Sequence, residues 1–463
     1  MAFSAMLAGC SSDEAADDRT EIRLSAAFSK TGVSAVTTWN DSMMLAADDA
    51  SKGLVQAGFP GGQRIKFKAI PAADTKNDQS ITVARATDMV KQQGAKIVIN
   101  GTSADTVALG KLAYDDDPSN DLDVPIACVA CSSPALHNPA ATNADAAIQG
   151  ADRNTEKWIF GLAMSSVPQS RVLWNILVGK TPSGNLPGDL NGDGIVKIST
   201  IALDDPFGTG FQAGMEAVVQ EGTGNTAIYE RTLHPKVTNV DEYDWFAAIN
   251  LLTDDQTDGV TDVKPDVIIE FTFPQFSLAL VKAYAASIPF LHTHSMREKT
   301  VVVAAESKLE GQEGTSYLPS DGESGAMFDE RFVNVLKTTR QSQWDSDVYD
   351  AAFLFALGTV KATQGMADPS LVTGAQIRDA MLELNDPAGT VIRIGPDEFA
   401  KGATAIAAGE PINYEGASGP CDFDAYGRAR NRISHWRVEK GDVLDVATYD
   451  CIADDTLCPL LDP

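Results

Sequence analysis

Apolar residues alternate with polar ones at Ile22, Leu24, Ala26 and Phe28, which predicts a strand ended by the turn Ser29-Lys30-Thr31-Gly32. Trp39, Met43, Ala46 and Ala50 then recur at helical spacing, predicting a helix that stops near Gly53. The same exchange of periods repeats. Residues 65–70 read as a strand, and Val83, Ala86 and Val90 as a helix stopped at Gly94. Residues 96–101 read as a fully buried strand, 107–114 as a helix and 124–127 as a strand. A second run starts at Trp158, with strands predicted at 158–163, 198–203, 228–233, 267–271 and 288–291. The helices between them are marked by Val172 to Leu177, Phe211 to Val219, Trp245 to Leu252, and Phe276 to Ala283 after Pro274. Strands alternating with helices of this length imply parallel sheets covered on both faces. Two such runs in one chain imply two similar lobes. Near the end, 348–363 and 376–384 read as helices, the second with Thr373 and Gln376 in capping-box register, and a β-hairpin is predicted around Phe423 and Trp436.

The 463 residues are 44% hydrophobic and 22% charged, enough for a sizeable core and too apolar for global disorder. Basic residues number 36 against 64 acidic ones, a formal charge of −28, which argues against nucleic acid and against binding anionic membrane by charge. No run of about 18 apolar residues follows Cys10, so no membrane span is expected. Residues 11–20 are polar and acidic and read as a tether.

Leu7-Ala8-Gly9-Cys10 resembles the lipobox of bacterial lipoproteins, in which the cysteine becomes the lipid-bearing residue. Nine residues precede it and none is Lys or Arg, whereas a signal peptide has a basic start and an apolar stretch of roughly 7–15 residues. With Cys10 lipidated, Cys128, Cys131, Cys421, Cys451 and Cys458 remain, an odd number that leaves at least one thiol unpaired within the monomer. Cys128-Val-Ala-Cys131 has the spacing of a redox dithiol. It follows a buried strand rather than an exposed turn, so a structural disulfide or buried thiols are expected there. Cys451–Cys458 is the first choice for a disulfide, with Cys128–Cys131 or a bridge to Cys421 behind it.

Two local patterns invite a metal. Asp189, Asn191 and Asp193, with Gly194 for the turn and Ile195 as a carbonyl donor, match the first half of an EF-hand calcium loop. The twelfth position is Thr200, so a carboxylate from elsewhere would have to complete the shell. Structural calcium is therefore the one cofactor expected, and none is required. Asp254 to Gly259 is a poorer copy. His292 and His294, two apart in a strand, face one side, with no third ligand evident. There is no Gly-x-Ser-x-Gly elbow, and no enzyme is expected.

Six stretches in order carry a family resemblance: AFSKTG, INGTSADT, VPIACVACSSPAL, LDDPFGTGFQAG, VYDAAFLFALG and INYEGASGPCDFDAYGR. Together they resemble the type I periplasmic binding proteins, the leucine/isoleucine/valine-binding solute receptors of ABC transporters, over about residues 21–450. An acidic insertion at 114–123, two Asp-rich insertions in the second run and a cysteine-bearing tail depart from that pattern. The resemblance implies two Rossmann-like lobes joined by a three-crossover hinge. Residues 21–165 with 320–365 form the first lobe, 166–319 with 366–450 the second, and 451–463 a tail. It also implies ligand contacts from Ser103, Ala130 and Ser132 in the first lobe, and Phe207, Phe273 and His294 in the second. Phe207 stands where the family often has tyrosine. The implied function is a lipid-anchored receptor at the bacterial envelope. It would hold a small polar ligand, an amino acid or related compound, for an ABC permease. The alternative is an envelope lipoprotein of the same fold that regulates through protein contacts.

Overall fold

The computed structural model describes residues 17–32, 35–114, 117–136, 157–179, 188–190, 192, 194–222, 226–253, 265–284, 288–318, 322–424, 427–452 and 456–461. The first sheet is built from β1 (Thr20–Phe28), β2 (Ile65–Ala69), β3 (Ala73–Asp74), β4 (Ala95–Asn100), β5 (Ile126–Cys128) and β6 (Ile159–Gly161). Its order is β2-β1-β4-β5-β6, with β3 also paired to β1, and every described pairing is parallel. The second sheet contains β7 (Val196–Leu203), β8 (Thr226–His234), β9 (Val267–Phe271), β10 (Phe290–His292) and β11 (Glu313–Tyr317), in the parallel order β11-β10-β9-β7-β8. A small sheet pairs β12 (Thr390–Ile392) with β13 (Ile412–Tyr414). The predicted hairpin is β14 (Arg432–Glu439) with β15 (Asp442–Asp450), which joins the second sheet antiparallel to β11. Phe423 lies outside it, in an isolated bridge to Ala429.

Sheet order fixes where a ligand can sit. In the first sheet the chain winds outward in both directions from the β1/β4 boundary, and in the second from β7/β9. At such switch points the corners after the strands splay apart and leave a crevice. The fully buried strands β9 and β11 confirm that helices cover both faces of the second sheet.

The chain passes between the lobes three times: after β6 into the helix Ser166–Leu177, after β11 into the helix Glu323–Leu336, and from Ala429 beside β6 into β14. Among the described residues no helix is long and apolar enough to cross a membrane.

The lobe boundaries differ from the expected ones in one long segment. Residues 366–419, expected in the second lobe, pack on the first. The helix Pro396–Ala407 lies so close to the helix Thr38–Gln56 that a Cβ at Gly53 would stand 2.6 Å from the Pro396 carbonyl oxygen. Lys96 Nζ donates to the Val372 carbonyl at 2.9 Å. This segment has helical and polar patterning but no strand of the second sheet, and its apolar faces are absorbed by the first lobe's outer helices. Only the hairpin β14–β15 returns to the second lobe. The predicted stop at Gly53 is overrun for the same reason: the helix continues to Gln56, and glycine is there for close approach rather than for termination.

The structure pairs Cys128 with Cys131 and Cys451 with Cys458, and leaves Cys421 a buried free thiol.

Candidate functional site

A cleft of about 360 Å3 opens at the two switch points. From the first lobe it is lined by Trp39, by Gly101, Thr102 and Ser103 after β4, and by Ala130 after β5. From the second it is lined by Phe207 after β7, Phe273 after β9, and His294 and Glu298 after β10. The segment 341–344, which connects two first-lobe helices, supplies the remaining edge with Trp344.

Local sequence explains each corner. Asn100, the last residue of β4, turns its carboxamide oxygen onto the Thr102 amide at 3.0 Å, and Thr102 Oγ1 accepts from Asp105 N at 3.3 Å. This opens the helix Ser103–Tyr114 with its first-turn amides free of intrahelical acceptors, as every helix start is. Gly101 is required there: a Cβ would fall 2.2 Å from Trp39 Cζ3, so the indole's six-membered ring lies on bare backbone. Asp205 caps the helix Pro206–Glu221, accepting from Phe207 N and Gly208 N, both at 2.9 Å. That cap fixes Phe207 at the cleft.

The second-lobe wall is aromatic. Phe207 stacks on Phe273 with centroids 5.8 Å apart and meets His294 at 5.6 Å, and His294 meets Trp344 edge-on at 5.6 Å. Burial pushes the His294 imidazole down to about 3, so it is a neutral ring at any ordinary pH, anchored through Nδ1 to Gln169 Oε1 at 3.1 Å.

Glu298 is the lining carboxylate. Its Oε1 accepts from Ser342 Oγ at 3.2 Å and Gln343 N at 3.0 Å, and burial pushes its carboxyl up to about 7. The segment 341–344 is held from the other side by Asp345, whose Oδ2 accepts from Gln341 N and Ser342 N at 3.0 Å and from Thr38 Oγ1 at 3.0 Å. Ser316 Oγ adds a bond to Gln343 Oε1 at 2.8 Å. A four-residue strap thus ties the lobes together beside the cleft.

Five of the six predicted ligand positions, Ser103, Ala130, Phe207, Phe273 and His294, line this one cleft. Ser132 does not. It is buried behind the wall beside Tyr317, its carbonyl accepts from Ser166 N at 2.8 Å, and neither its hydroxyl nor that of Tyr317 makes a well-formed hydrogen bond. The chain turns inward after Ala130, which carries Ser132 to the hinge. Trp39, Glu298 and Trp344 were not picked out from sequence as site residues. Trp39 reads as one more apolar position of its helix, and no period marks Arg340-Gln-Ser-Gln-Trp344 or the turn before the helix Lys299–Ala304.

His292 and His294 do not converge: His292 turns to Glu270 Oε1 at 3.3 Å and Gln312 Oε1 at 2.5 Å. In the calcium-like loop both Asp189 oxygens accept backbone bonds, from Gly192 N at 2.7 Å and Gly194 N at 2.6 Å. Asn191 and Asp193 lie outside the described residues, as do Cys10 and the second, poorer loop. Among the described residues no group of three or more metal-ligating side chains gathers.

The two-lobed architecture, three crossings and interlobe cleft together are the type I periplasmic-binding-protein fold. No family model matches the sequence, and no curated protein matches it. Solved structures match its fold. The branched-chain amino acid transporter substrate-binding protein LivJ of Streptococcus pneumoniae, in complex with isoleucine, superposes with a TM-score of 0.61 at 15% identity, over 96% of this chain and 100% of that one. An ABC-transporter solute-binding protein from R. palustris, in complex with benzoate, gives 0.63 at 15% identity, over 96% and 98%. A branched-chain amino acid ABC transporter protein from Thermus thermophilus with bound valine gives 0.60 at 12% identity, over 92% and 96%.

Proposed function

We propose that the protein is a solute-binding receptor that captures an amino acid or related small compound between its lobes and hands it to an ABC-type importer. The observation that carries this reading is the cleft itself, lined by residues of both lobes at the switch points of both sheets. A ligand touching both walls stabilises only the closed state, so binding and closure are one event. The neighbours of this fold that were solved with isoleucine, valine and benzoate support a small carboxylate-bearing ligand. Anchoring through a lipidated Cys10 places the receptor at the bacterial envelope, periplasmic or cell-surface. A thermal-shift screen against amino acids and small carboxylates tests the reading. At least one should raise the melting temperature in a concentration-dependent way, by about 2.7 kcal/mol of stabilisation at a hundredfold excess over its dissociation constant. A screen in which every such compound leaves the curve unmoved would favour the protein-contact alternative.

The loop 189–195 keeps its calcium expectation on Asp189, Asn191, Asp193 and the Ile195 carbonyl. Calcium should raise the melting temperature over chelator, and Asp193→Ala should remove the difference. Coincident wild-type curves dispose of the site.

A further inference from the structure

In the second sheet the order β10-β9-β7-β8 sets four strand-end corners in a row, which carry Glu298, Phe273, Phe207 and Lys236. The strap ties the lobes at the Glu298 end. At the other end Lys236, two residues beyond β8, reaches the first lobe, where its Nζ donates to the Asn77 carbonyl oxygen. Its stem is exposed and its ammonium end is partly buried. The first lobe presents that carbonyl on a strained turn. Lys76 and Asn77 are consecutive left-handed residues, with φ of 53° and 56°. Asp74 Oδ1 holds the turn by accepting from Lys76 N at 3.1 Å, and Asp78 N closes it on the Thr75 carbonyl at 2.9 Å. Strain of this kind persists only where the surroundings over-determine it, and it gathers at clamps and switches.

The seam around this ammonium is acidic. Burial disfavours the Lys236 cation, and the charges of Asp105, Asp205 and Asp78 favour it. Asp78 and Asp105 belong to the first lobe and Asp205 to the second. Asp105 is 1% exposed and Asn77 is 4% exposed, yet Asp105 Oδ1 and both carboxamide atoms of Asn77 make no well-formed hydrogen bond among the described residues. Asp205 Oδ2 is in the same position. Burial pushes Asp205 up to about 6 and raises Asp105 too, and the Asp105 charge opposes that of Asp205 across the seam. Lys236 offsets this repulsion from between the lobes. Taking away one member of such a buried set leaves its opposite charges uncompensated, which here penalises the closed state alone.

We propose that Lys236 is a latch: it spans the lobes to the Asn77 carbonyl, neutralises the seam between Asp105 and Asp205, and sets how long the closed state lasts. Lys236 does not line the cleft, so it acts on release and not on the choice of ligand. The proposal rests on the receptor reading above and adds to it the positioning residue that governs release.

Stopped-flow fluorescence with L-isoleucine, L-valine and benzoate tests it, with small-angle scattering on the same samples. Lys236→Met removes the charge and the donor and keeps the stem. It should speed dissociation of every probe that binds by the same factor, roughly ten- to hundredfold for one charged hydrogen bond, and leave association unchanged. Lys236→Arg should keep most of the wild-type residence time. Asp105→Asn added to Lys236→Met should recover part of what that variant loses, because it removes the repulsion that the lysine offsets. Lys236→Met that releases its probes at the wild-type rate, or that slows association instead, overturns the latch. So does a loss that differs tenfold between probes, or one seen only as lower urea stability of the unliganded chain. In each of these cases a wild-type protein that binds and contracts leaves the receptor reading intact. If no probe binds and none contracts the wild-type particle, both fall.

Discussion

At the scale of single residues, Glu298 joins function to stability. Burial raises its carboxyl from about 4.5 in the unfolded chain to about 7 in the folded one. Between those pH values the native state keeps a proton that the unfolded state releases, so stability falls as pH rises from about 4.5 to about 7 and is flat beyond. Burial also pushes the neighbouring Asp345 up, to about 6, and it slopes the same way. Glu298→Gln mimics the protonated acid. It should therefore flatten part of that slope and leave the unliganded protein more stable than wild type at pH 8, as read from urea denaturation across the range. An unchanged slope would mean that Glu298 is not buried against the strap. A cationic ligand group pulls the other way, so affinity for an ammonium-bearing ligand should rise over the same window. The single residues of the site were only partly legible in sequence. Ser103, Phe207, Phe273 and His294 follow the carboxyl ends of strands, and strand ends are visible as breaks in apolar runs. Trp39 and Glu298 owe their roles to what packs beside them, which no local pattern records.

Among elements, legibility followed the apolar signal. Strands and helices with a clean period of two or 3.6 were found with errors of a few residues. The strand β11 was missed because Glu313-Gly-Thr-Ser-Tyr317 has no apolar alternation, although every residue in it is buried. Its polarity is absorbed by tertiary partners: Glu313 by His435 and Arg437, Thr315 by Gln169, and Ser316 by Gln343. The helix Pro396–Ala407 carries a second lesson. Its sequence announces a helix start with Pro396, Asp397 and Glu398, yet nothing in it says which lobe it joins. Gly53 carries that information through close approach. Gly53→Ala should cost about 1–3 kcal/mol by overpacking against Pro396 and Phe399, outweighing the roughly 1 kcal/mol that alanine gains in a helix. A more stable Gly53→Ala protein in denaturant titration would contradict the packing of that helix on the first lobe.

For the whole molecule, the alternation of periods was enough to predict two α/β lobes, and the order of motifs enough to predict a cleft between them. The chain's return through 366–419 to the first lobe was not legible, because lobe membership is decided by long-range burial. The lobes are tied by three crossings and by the strap 341–344, pinned between Asp345 and Glu298. Few covalent links and a short polar strap make relative lobe motion the natural response to a ligand that touches both walls. In the proposed receptor, ligand capture and closure are the same event. Small-angle scattering on the protein with and without a saturating ligand, taken from the melting-temperature screen, measures it most directly. The radius of gyration should fall with ligand, and that fall should be lost when Phe207→Ala and Trp39→Phe together remove contacts on both walls. A particle whose scattering stays the same while calorimetry shows the site filled would contradict it.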